Sequence, residues 1–159
     1  MRGRIGAIPF FCFVMACGGP RPEDAVSGFL EAMKAGDGEG AVGYLSQPTI
    51  DDIGSGLEEL RADTTGLALG VMDSMFGMTL TLEQIDTIDS REFAALLLGS
   101  RLVRERLETA GYSLGRPAVT MCSVPVTYSL AGDTIPIEDE VTTILEDGVW
   151  KLHMPEFGN

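Results

Sequence analysis

Val141-Thr142-Thr143-Ile144-Leu145-Glu146-Asp147-Gly148-Val149-Trp150-Lys151-Leu152-His153-Met154 decides the fold class. Apolar side chains alternate on both sides of Asp147-Gly148, and that dipeptide suits a two-residue hairpin turn in which both residues take positive φ. Val141, Thr143 and Leu145 fall on one face of the first strand, together with Ile135 and Ile137 upstream. Trp150, Leu152 and Met154 fall on one face of the second strand, Val149 to Met154, and a regular strand turns His153 the other way. Period two reaches back to Arg116. Val119 and Met121 alternate, then Val124, Val126, Tyr128 and Leu130, and Ala131-Gly132-Asp133 turns the chain. The change of parity near Ser123-Pro125 predicts a bulge there, or an edge position for Pro125.

Before Arg116 the period is helical. Pro22-Glu23-Asp24 opens a helix, since proline fits the first turn and acids favour its positive end. Ala25, Val26, Phe29, Leu30 and Met33 form its apolar stripe, and Gly36 is its stop. A short helix is expected from Glu39 to Leu45, bounded by Pro48. From Thr49 to Arg106 apolar residues keep helical spacing at Ile50, Ile53, Leu57, Leu60, Leu67, Val71 and Met75, with a gap at Thr64. Gly54, Gly56, Gly66 and Gly70 fall in the same span, so it reads as broken or tightly packed rather than as one rod. Gly66 and Gly70 at i, i+4 either let two helices approach or mark a loop or kink.

Thr81-x-x-Gln84 and Asp89-x-x-Glu92 have the form of capping boxes. The second predicts a helix burying Phe93, Leu96 and Leu97. A charged helix, Arg101 to Glu108, follows with Leu102, Val103 and Leu107 inward and Gly111 at its end. Helices followed by an antiparallel meander make an α+β domain.

Pro22-Glu23-Asp24-Ala25-Val26, Phe29-Leu30-Glu31-Ala32, Gly36-Asp37, Ala41-Val42 and Tyr44-Leu45-Ser46 together resemble the opening of nuclear-transport-factor-two-like (SnoaL-like) domains, in particular their lipoprotein branch. Glu146-Asp147-Gly148-Val149-Trp150-Lys151-Leu152 resembles that family's final hairpin. The resemblance implies a cone: N-terminal helices packed on a curved antiparallel sheet, here with an enlarged helical middle that departs from the compact family plan. Enzymes of the family use pocket Asp, Tyr or His as acid and base, but no motif marks such positions in this chain.

The N-terminus sets location. Arg2 and Arg4 precede an apolar run, Ile5 to Met15, of about eleven residues, roughly half of what spans a bilayer. Val14-Met15-Ala16-Cys17 resembles the lipobox of bacterial lipoproteins, which implies diacylglycerol on the Cys17 sulfur and a further acyl chain, such as palmitate, on its new amine. Two or more chains give stable anchoring. Residues 1–16 read as signal peptide, 17–21 as lipidated cysteine and short tether, and 22–159 as one domain. An ordinary secretory signal with a chance cysteine is the alternative. Because residue 18 is Gly and not Asp, the anchored form is expected at the outer membrane in a Gram-negative cell, and otherwise elsewhere in the cell envelope.

Composition removes several function classes. Net charge is −13, and cleavage after Ala16 would remove two arginines and make it more negative. Such a surface repels nucleic acid and anionic headgroups. One histidine serves the whole chain, so a zinc site of several nitrogen and sulfur ligands is not expected. With Cys17 acylated and Cys12 removed, Cys122 has no partner for a disulfide within the chain. No phosphate loop, nucleophile elbow or triad is present, and no cofactor is expected. Asp37-Gly38-Glu39-Gly40 lacks the distal ligands of a calcium loop and reads as a turn and cap. Glu138-Asp139-Glu140 reads as a solvated strand edge. Arg101, Arg104 and Arg106 form the one basic group, read as a solvated face paired with Glu105 and Glu108 or as a contact for an anionic partner.

The expectation is a lipid-anchored, non-enzymatic binding protein, attached to the membrane through its acyl chains. Its occupant is a small apolar ligand or an envelope protein. Candidate contacts are Tyr44, Tyr128, Trp150, Leu152 and Met154. The competing readings are an acid–base enzyme of isomerase or dehydratase type and a purely structural envelope lipoprotein. An apolar pocket holding a deep polar group favours the enzyme, an empty apolar pocket favours the ligand, and a filled core beside an exposed apolar patch favours the protein partner.

Overall fold

The computed structural model describes residues 21–115, 122–129 and 136–154. The signal segment, Cys17, the strand residues Val119, Met121 and Leu130, the turn at 131–133 and Ile135 lie outside the described residues.

Among the described residues seven helices precede a curled, half-barrel sheet of four antiparallel strands, so the domain is α+β. Helix α1 spans Pro22–Ala35 and buries Ala25, Val26 and Phe29. Gly36 ends it at φ 72, and the Gly36 and Asp37 N–H groups close back on Met33 and Ala32 at 3.0 and 2.9 Å. This left-handed stop is the one a glycine adopts without strain.

Helix α2, Gly38–Val42, is shorter than expected. Leu45 is instead drawn into a parallel bridge with Leu152. Pro48 does not bound α2. It lies in the first turn of α3, Gln47–Ala62, where the missing N–H has no helical partner to lose. Helix α3 runs unbroken through Gly54 and Gly56, burying Ile50, Ile53 and Leu57.

The break comes at 63–66, before α4, Leu67–Phe76. Both capping boxes form, opening α5, Leu82–Thr87, and α6, Ser90–Leu98. Helix α6 buries Phe93, Ala94, Leu97 and Leu98, while Leu96, expected inside, is 44% exposed. Helix α7, Arg101–Thr109, stops before Gly111, which starts a strand instead.

The sheet order is β1 (Gly111–Leu114), β2 (Ser123–Ser129), β3 (Ile137–Glu146), β4 (Val149–Leu152). Strand β1 lies before the stretch in which the period-two pattern begins. The Asp147-Gly148 turn forms as read, with φ 51 and 81 and Glu146 opposite Val149. Pro125 occupies neither an edge strand nor a bulge, for Ser123 to Tyr128 pair in regular register with β3. Its carbonyl accepts from Gly115 N at 2.8 Å. In an antiparallel strand a residue's N–H and C=O point the same way. The missing donor therefore faces the side on which β1 has just ended. The irregular residue is Cys122, at φ 48, whose carbonyl accepts both the amide and the hydroxyl of Thr143 at 2.7 Å.

Among the described residues β3 pairs over 138–140 with β2 only, because β4 pairs with 143–146. Glu138-Asp139-Glu140 therefore lies on an open side, as a solvated edge does. Helix α1 packs on β2 and β4. The middle of the inner sheet face is consequently closed: Val124, Thr143 and Leu152 are each 1% exposed or less. One core joins them to α1, α3 and α6 through Phe29, Ile53, Leu57 and Phe93.

Glycines divide by what stands over them. A side chain at Gly38 would run into the Ala95 carbonyl group of α6, with Gly99 N at 2.9 Å, whereas Gly56 has open space. Gly56→Ala should stabilise the protein by roughly 0.5–1 kcal/mol through helix propensity. Gly38→Ala should force α2 off α6 and lower the melting temperature. Thermal unfolding of the two variants tests both signs.

Candidate functional site

Leu152, expected to contact a ligand, is 1% exposed and part of the core. Trp150 and Met154 are half-buried against that core. Tyr44 is half-buried, with its ring laid on α1 where Gly28 leaves no Cβ in the way. Tyr128 pairs with Tyr112 on one side and Ile137 on the other. The structure thus brings Trp150 and Leu152 to one face but fills the centre of that face with α1. Exposure survives at the margins, at Leu145 (57%) and Ile137 (41%).

His153 does not simply face outward. Strand β4 ends at Leu152, and the His153 N–H turns to Thr142 O at 2.8 Å. Its Nδ1 lies 3.3 Å from the Oγ of Ser46, a fully buried residue. Ser46 Oγ is 3.0 Å from Thr49 Oγ1, which donates to Leu152 O at 3.5 Å and accepts from Met154 N at 2.9 Å. The network is satisfied in either histidine tautomer, because Leu152 O also accepts from Ser46 N at 2.8 Å. The histidine and the two hydroxyls tie the end of β4 to the first turn of α3.

Helix α4 carries apolar residues on two sides. Leu69, Met72 and Phe76 pack toward the core. Leu67, Val71 and Met75, four apart, are 74%, 53% and 50% exposed. These three keep the spacing expected of an inward stripe, yet they face solvent, because a second stripe on the same helix takes the core. No α4 residue is fully buried. Among the described residues a side chain begun at Gly66 or Gly70 would meet nothing within 4 Å, so no described helix approaches α4 there.

Asp63 sets the start of α4. Its carboxylate accepts from the Thr65 hydroxyl and amide at 2.5 and 2.9 Å and from Ala68 N at 2.8 Å. The Thr65 hydroxyl, then the Ala68 amide, hold its carboxyl below the ordinary aspartate range.

An open groove of about 810 Å³ lies elsewhere, between the end of α1, α2 and α6. Ile88, Ala95 and Leu96 supply apolar surface over the buried Val42, while Asp37, Glu39, Glu92 and Arg91 supply charge. Asp37 also caps α2 by accepting from Gly40 N at 2.9 Å, as a turn-and-cap residue should. The basic group on α7 is paired within its own helix, Arg101 with Glu105 and Arg104 with Glu108, both at 3.5 Å. Exposed pairs of this kind contribute about 0–1 kcal/mol.

Among the described residues no three His, Cys, Asp or Glu side chains are grouped to hold a metal ion. None of the described helices is long and apolar enough to cross a membrane. No protein-family model, curated protein or solved structure matches the chain.

The buried tie and the α4 cap each carry a test. Thr49→Val keeps the shape but leaves Leu152 O and Met154 N without this partner, and should cost about 1–3 kcal/mol in urea unfolding. For Asp63 the folded carboxyl titrates lower than the unfolded one. Its contribution is therefore present above the unfolded value and is lost as pH falls through the folded value. An NMR titration should place the Asp63 midpoint below that of an aspartate in the unfolded chain, with the Thr65 and Ala68 amides shifting alongside it, and Asp63→Asn should abolish that response.

Proposed function

We propose that the protein is a lipid-anchored, non-enzymatic interaction domain of the cell envelope, outside the cytoplasm, and that it binds another envelope protein through α4. The observation that carries this reading is the exposed stripe Leu67, Val71, Met75 beside a sheet face whose centre is filled. Solvated apolar side chains in a row are unfavourable unless something covers them. A ligand-holding cone would need the opposite arrangement, an empty face between α1 and the strands.

The anchor rests on Val14-Met15-Ala16-Cys17 and on the tether 17–21, which holds the domain close to the bilayer. Membrane confinement raises the effective concentration of an envelope partner, so a modest apolar stripe suffices where it would fail in dilute solution.

Expression of the full chain with a photo-crosslinking residue at Val71 tests both halves. The expected result is an acylated mature product starting at Cys17, in the membrane fraction, crosslinked to one discrete protein. Cys17→Ser should remove the acyl mass and release the protein from the membrane, and Met75→Asp should abolish the crosslink without lowering the melting temperature. An unlipidated soluble product would sink the anchor, and a crosslink pattern indifferent to Met75→Asp would sink the α4 site.

A further inference from the structure

We propose that the groove between α2 and α6 is a second docking site, and that its occupant is a cationic amphipathic segment of a partner protein. This goes beyond the α4 reading and rests on different residues.

The groove is apolar at its base and acidic at its rim. Val42 is buried there, Ile88 is half-buried, and Leu96 is 44% exposed although it stands on a core helix. Leu96 belongs to the apolar pattern of α6 and is the one member of Phe93, Leu96 and Leu97 that the fold leaves in water. Three carboxylates, Asp37, Glu39 and Glu92, stand against one guanidinium, Arg91.

Two of these carboxylates are held in place by backbone donors. Asp37 Oδ1 takes Gly40 N at 2.9 Å, and Glu92 Oε2 takes Asp89 N at 3.1 Å. Each has a second oxygen beyond that bond.

Charge therefore selects the occupant. An anionic ligand would meet three carboxylates on a protein of net charge −13. A second copy of the chain brings the same acidic surface and is repelled. A neutral apolar molecule leaves the rim unused. A segment that presents lysine or arginine beside leucine-like side chains matches both the rim and the base. The groove is open rather than enclosed, which suits a chain segment entering and leaving along its length.

The test uses the full chain in neutral detergent, with isotope-labelled Ile, Leu and Val methyl groups. The probe is a short synthetic amphipathic peptide of leucine and lysine, and its control carries glutamate in place of lysine. The lysine peptide should shift the Val42, Ile88 and Leu96 methyl signals saturably, and the glutamate peptide should not. Raising salt from about 0.05 to 0.5 M should weaken binding, because screening shortens the reach of the rim charges. Glu39→Lys and Leu96→Ser, both surface changes, should each weaken it about tenfold. Absence of a saturable shift, equal binding of the glutamate peptide, or shifts confined to Leu67 and Val71 would each overturn the groove site. The last outcome would leave the α4 reading standing, and a crosslink at Val71 is unaffected by Leu96→Ser in either case.

Discussion

The helical layer is fastened to the sheet at one seam, where residues 44–46 run parallel to the end of β4. Ser46 N donates to Leu152 O and Leu152 N donates to Tyr44 O, both at 2.8 Å. The buried hydroxyls of Ser46 and Thr49 then bridge the same strand end to the first turn of α3. These groups are about a hundred residues apart in sequence, so the seam closes a long loop, and closure entropy is recovered only if the contact is well satisfied. Burial makes it so: an unpaired hydroxyl or amide there would incur a full desolvation penalty. The Lys151 ammonium extends the seam to the Gly43 carbonyl.

That seam positions everything functional. It fixes α1 across β2 and β4, which fills the centre of the inner face with Val26, Phe29, Val124 and Leu152. It sets α3 at the angle from which Gly54 lets Ser90 of α6 approach closely, with Ser90 Cβ 3.1 Å from the place a side chain would begin. Helix α4 then hangs beyond α3 by the Asp63 cap and touches α7 rather than the sheet. A helix held on one side only, yet apolar on two, leaves a stripe uncovered. The unsatisfied surface is thus a consequence of where the core ends.

Much of the architecture is legible from local rules. Thr81/Gln84 and Asp89/Glu92 start their helices as capping boxes do, Gly36 stops α1, and Asp147-Gly148 makes the hairpin, because each depends on a few neighbouring atoms. Strand β1 leaves no such mark, since Gly111-Tyr112-Ser113-Leu114 is short and follows a helix directly. Pro48 and Pro125 depart from expectation for one reason: both lack a donor, and whether that matters depends on what stands opposite. Pro48 sits where a helix needs no donor, and Pro125 beside the end of β1.

The sequence by itself determined the α+β class, the stop of α1, the capped starts of α5 and α6, the hairpin turn and the acidic surface, since periodicity, caps, turn residues and charge are local or additive properties. Only the tertiary structure decided which apolar stripe of α4 faces the core, that Leu96 stands in a groove, that Leu152 is sealed under α1, and that His153 meets Ser46. Each of those depends on packing between segments far apart in the chain, where several stripes compete for one limited core and geometry leaves some of them outside.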